Sequence, residues 1–97
     1  MDRDAVLSLW ATHKEERWPQ VDSQLEGPLM TLDTVISGCV VYFLDSPAGL
    51  DPQRVSILED CVADLDSLTG ELDEHCESYF QRLRQLGALL ITTHHAI

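Results

Sequence analysis

The chain has 97 residues, with 17 Asp and Glu against 6 Lys and Arg, and a formal net charge of −11. That balance argues against binding DNA or RNA phosphate, where affinity comes from clustered Lys and Arg, and against docking on anionic membranes. With 44% hydrophobic residues, one domain over 1–97 with a modest core is expected, and the absence of both a run of about 18 apolar residues and a secretory signal at Met1-Asp2-Arg3-Asp4 points to a cytoplasmic protein with no membrane partner.

The first expected helix covers about 5–17, capped by Asp2 or Asp4. Val6, Leu9, Trp10 and His13 share one face, and Trp18-Pro19 ends the helix because the residue before proline is pushed out of helical geometry. Trp10 reads as a core anchor and Trp18 as a staple at the helix end. A connector follows. Ser23-Gln24-Leu25-Glu26 has the spacing of a capping box, yet Gly27-Pro28 favours a later start with Pro28 in the first turn.

The second expected helix, 28–44, is the most apolar part of the chain. Leu29, Leu32, Ile36, Cys39 and Phe43 form a stripe, and Met30, Val35, Val40, Val41 and Leu44 cover much of the rest. A helix apolar nearly all round is expected at the centre of a bundle. Asp45 to Leu50, with Pro47 and Gly49, forms a turn, and Asp51-Pro52 then supplies an N-cap with proline at the first helical position.

From Val55 two rows seven apart, Val55, Val62, Thr69, Cys76, Leu83, Leu90 and Leu58, Leu65, Leu72, Tyr79, Leu86, are apolar or semi-apolar everywhere but Thr69. A 4-3 spacing held this long is the mark of a helix burying one stripe against other helices. A third helix over 52–91 is expected, with a bend or break at Gly70, giving four helices, as the alternative. The phase passes Gly70 without slipping, and an αα-hairpin loop needs about 2–5 residues. The tail from Thr92 is expected to fray.

A continuous third helix would outreach the second, which folds back only to about Leu68. Leu72, Tyr79, Phe80, Leu83, Leu86 and Leu90 then need cover, at about 1.5–3 kcal/mol per large side chain, and a homodimer seam through them is the expectation. The flanking rows do not offer the opposite charges of a parallel two-stranded coil, so a helical bundle is preferred.

Cys39, Cys61 and Cys76 are far apart, with no Cys-x-x-Cys, and fall on apolar stripes, as buried reduced thiols do. Between Glu59 and Glu77 lie eight acids and no Lys or Arg. Glu59, Asp60, Asp66, Asp73, Glu74 and Glu77 form a candidate acidic face for a basic protein partner. The alternative is a metal-dependent helical-bundle hydrolase using Glu71, Glu74, His75 and Glu77. Against it, the Glu-x-x-His pairs of bundle di-iron sites are absent, since Leu72 stands three before His75. No Gly-x-Ser-x-Gly and no glycine-rich phosphate loop occurs. The composite expectation is an all-α, homodimeric bundle without cofactor, acting non-catalytically as an adaptor, inhibitor or immunity-type protein.

Overall fold

The computed structural model describes residues 2–46, 49–70, 72 and 74–95, and of Asp2, His75 and His95 the backbone alone. Its described residues form four helices, α1 Asp2–Glu15, α2 Ser23–Asp45, α3 Pro52–Thr69 and α4 Glu74–His95, and no strand. The all-α expectation holds, and the third expected helix is two.

α2 starts at Ser23, five residues before the expected position. Asp22 is the cap: its carboxylate accepts from Gln24 N at 2.9 Å, and its carbonyl accepts from Leu25 and Glu26. The first turn is thus closed before Gly27-Pro28 is reached, and Pro28 removes one donor near the helix start rather than in its middle. α3 starts where expected, with Asp51 accepting from Arg54 N at 2.8 Å and Pro52 following. It stops at Thr69. Gly70 keeps right-handed geometry at φ −64°, and Leu72 N donates to Thr69 O at 3.2 Å.

The break has a simple energetic reason. A continuous helix would leave its second half without cover, whereas turning back lets α4 bury Phe80, Leu83, Leu86 and Leu90 completely. At about 1.5–3 kcal/mol per large side chain, that outweighs the few backbone groups left open at two helix ends. The unslipped heptad phase across Gly70 is what two antiparallel helices facing one core also produce. The six residues expected at a subunit seam lie within this chain: Tyr79, Phe80, Leu83, Leu86 and Leu90 are buried in its core and Leu72 packs half-buried against it. The reasoning toward a homodimer through this half therefore loses its exposed stripe.

α4 packs against all three other helices, and α2 does so too, less extensively. The molecule is 38 × 25 × 17 Å. A thickness of 17 Å is about two helix layers at 8–10 Å each, so every helix keeps a side toward water. α2 buries Leu29, Leu32, Ile36, Cys39, Val40 and Phe43, and leaves Met30, Val41 and Tyr42 exposed. By length and composition alone it is also a helix that can cross a membrane, a test that the core helix of a bundle passes as well. At the far end helical structure runs on to His95, with Thr93 buried, in place of a frayed tail.

Candidate functional site

Among the described residues, a polar cluster joins three helices. His13 of α1, 4% exposed, places Nε2 3.1 Å from Asp33 Oδ1 on α2. A carboxylate accepts only, so Nε2 carries the proton and donates. Tyr79 of α4 donates its hydroxyl to the same oxygen at 3.2 Å. Asp33 thereby ties α1 and α4 to α2. Its position explains how the lone charge between Glu26 and Asp45 is tolerated: the carboxylate is only half-buried and is hydrogen-bonded to both donors. Burial, and then the Asp33 carboxylate, push the Tyr79 hydroxyl well above its ordinary pKa, so it stays protonated and donating. Trp10 stacks on His13, while Trp18 stands edge-on to Tyr79 and Phe80 at 5.7 and 5.5 Å.

Beside this cluster the connector from Glu16 to Gln20 crosses the start of α4. The Cys76 thiol donates to Gln20 O at 2.9 Å, and Glu16 pairs with Arg82 at 3.1 Å. The crossing encloses a cleft of about 670 Å³ walled by Trp18 and Tyr79 and bordered by Glu15, Arg17, Glu74 and Arg82. Its charges nearly cancel, and His13 and Asp33 are absent from its lining. Tyr79 is the cluster's member in that lining, and the three side chains tie α1, α2 and α4 together.

The acids expected on one face are divided by the fold. Asp66 pairs with Arg84 and so marks the α4 flank of α3, and Glu59, seven residues earlier, shares that row. Asp60 belongs to the opposite flank with Asp64, which lines a hollow against α2. Glu74 is exposed at the start of α4, while Glu77 is half-buried and accepts from Gln81 at 2.8 Å. Asp73, Glu71 and the His75 side chain lie outside the described residues, so half of the hydrolase quartet has no described place. Among the described residues no three His, Cys, Asp or Glu side chains gather as a metal site would need.

The sequence reading missed the outer side of α2. Met30, Val41 and Tyr42 are 47, 46 and 38% exposed, and Ile57 of α3, 40% exposed, shares a hollow with Tyr42. Gly27 and Gly38 open on space where an added Cβ meets nothing within 4 Å. The legible signal was this run of small residues among the apolar ones, which marks a side with nothing packed on it.

Set against protein-family models, curated proteins and solved structures, the chain matches none.

Proposed function

We propose that this chain is a cytoplasmic, non-catalytic interaction protein, an adaptor, inhibitor or immunity-type protein, whose acidic surface meets a basic protein. One observation carries the reading. Glu59, Asp60 and Asp64 stand exposed along α3, while the arginines near them are committed elsewhere, Arg54 to Asp51 and Arg84 to Asp66. Unneutralised carboxylates on a chain of net charge −11 repel one another, and a cationic partner relieves that repulsion and is steered toward it.

The test is affinity capture from a lysate of the native host, with the wild type and a Glu59→Gln/Asp60→Asn/Asp64→Asn variant of unchanged helicity. A partner of high pI is expected, held by the wild type and lost by the variant and at ionic strength above about 0.5 M, where screening is short-ranged. A partner that the neutralised variant holds equally well, or one that is not basic, overturns the reading.

A further inference from the structure

The seam between α2 and α3 carries two hollows in line, each about 420 Å³. One lies among Thr34, Gly38, Tyr42 and Ile57, the other between Pro28 and Asp64. Together they follow α2 from Pro28 to Tyr42, roughly 21 Å at about 1.5 Å per residue, the length of about four turns of a docked helix. At the α3 N-terminal end Arg54 lies over the Tyr42 ring, 3.8 Å from its centroid, and is held there by Asp51.

The two walls differ in charge. Between Glu26 and Asp45 the only charged residue of α2 is Asp33, and it is engaged with His13 and Tyr79. The α2 wall, from Pro28 through Thr31, Thr34 and Gly38 to Tyr42, is therefore free of charge. The α3 wall places Asp60 and Asp64 one turn apart, both exposed and, among the described residues, without an ion pair. Past Arg54, which Asp51 neutralises, the α3 rim is acidic at Asp60 and Asp64 and the α2 rim is uncharged, which is complementary to a helix that has an apolar stripe flanked on one side by Lys or Arg.

We infer that this groove seats a single amphipathic helix of a partner protein, its apolar stripe on Gly38 and Ile57 and its basic row along Asp60 and Asp64. The inference rests on the basic-partner reading above and names the surface for it. A second copy of this chain fits poorly, since two molecules of charge −11 would bring their acidic rims together, and anionic membranes are repelled in the same way.

The probe is a labelled synthetic helix of about 18 residues with a Leu stripe and a Lys flank, set against the same peptide with a Glu flank. Binding is read by fluorescence anisotropy at about 0.15 M salt. The Lys peptide is expected to bind at least about tenfold more tightly than the Glu peptide. Gly38→Trp, whose Cβ meets nothing within 4 Å and whose ring would occupy the hollow, and Asp60→Lys/Asp64→Lys should each weaken it by about tenfold or more. Glu74→Lys/Glu77→Lys should leave it unchanged, and circular dichroism checks that each variant is folded. Amide shifts on titration should cluster on the α2–α3 seam.

Binding that ignores Gly38→Trp but fails with the α4 variant overturns the groove and leaves the basic-partner reading standing. Equal binding of the Lys and Glu peptides, or none of either, overturns the groove's charge match, and the lysate capture then decides the wider reading separately. Self-association that Gly38→Trp abolishes would give the groove to a second copy, and sedimentation with uncharged phosphatidylcholine vesicles would give it to a lipid surface. Either result overturns the inference.

Discussion

His13 and Asp33, twenty residues apart on α1 and α2, meet through Nε2 and Oδ1 at 3.1 Å, and the same carboxylate oxygen takes the Tyr79 hydroxyl at 3.2 Å. One acid thus satisfies two buried donors on two other helices. Asp33→Ala strands both, and each unsatisfied group costs about 1–3 kcal/mol, so a loss of about 2–6 kcal/mol is expected. Tyr79→Phe removes one donor together with its need and should cost about 1 kcal/mol. Urea denaturation of both variants and of the double variant checks this. Strongly non-additive losses are expected, because Asp33→Ala has already removed the partner.

Alkaline pH should loosen the fold in two stages. Burial raises the thiols of Cys39 and Cys61, the latter also through Cys39, Asp64 and Asp60. Unfolded thiols ionise near pH 8.5 and unfolded tyrosine near pH 10. Below about pH 8.5 both states hold these protons and stability is flat. Above it the unfolded chain releases protons that the folded chain retains, so stability falls, and Tyr79 steepens the fall above about pH 10. Urea midpoints between pH 7 and 11 should trace this, with Cys61→Ala flattening the earlier part and Tyr79→Phe the later.

Two helical glycines should respond oppositely to alanine. At Gly38 a Cβ meets nothing within 4 Å, so Gly38→Ala should stabilise by about 0.5–1 kcal/mol through helix propensity alone. At Gly87 the Cβ would stand 2.9 Å from Val62 Cγ2. A valine on a helix has one strongly preferred rotamer, so α3 and α4 must separate and Gly87→Ala should lower stability despite its better propensity. Val62→Ala in that background should restore part of the loss. Thermal melts of the three variants against the wild type decide it.

These cases show where the sequence was readable. The buried rows of α3 and α4 followed from their spacing, since a stripe seven apart must face a core. Which core it faced did not follow: Thr69-Gly70 looked too short for a hairpin, and the gain from folding α4 back on α3 is a tertiary quantity. The Asp33–His13 pair did not follow, since the two lie twenty residues apart and nothing local to either names the other. The acidic run was visible as composition, while its division between the two flanks of α3 depended on where α2 and α4 lie. The outer side of α2 was hidden because apolar residues all round read as central, and only the thinness of a four-helix bundle exposes them.

A non-catalytic role carries an expectation about metals. Glu77 is engaged by Gln81 and Glu74 is exposed, an arrangement that gives a tightly held ion little enclosure. Purified protein loaded with Mn²⁺ or Zn²⁺ and dialysed should retain far less than one equivalent by elemental analysis. Stoichiometric retention that is lost on Glu71→Gln/Glu74→Gln would instead establish the metal-dependent alternative.

The last expectation separates an internal seam from an intermolecular one. Leu83 and Leu86 are both fully buried, in the one core cluster that also holds Leu58, Leu65 and Ile36. If that core belongs to one chain, an aspartate at Leu83 has no way to reach water without opening the bundle. It loses the leucine's burial, about 2–5 kcal/mol with the cavity left behind, and adds the cost of sheltering a carboxylate. Against a total stability of about 5–15 kcal/mol, Leu83→Asp should abolish the cooperative thermal transition and much of the helical circular dichroism signal. If the seam lay between two copies, the same substitution would expose its carboxylate on a folded monomer, and light scattering would show the mass halved with helicity intact. Loss of fold without a folded half-mass species is the outcome expected here.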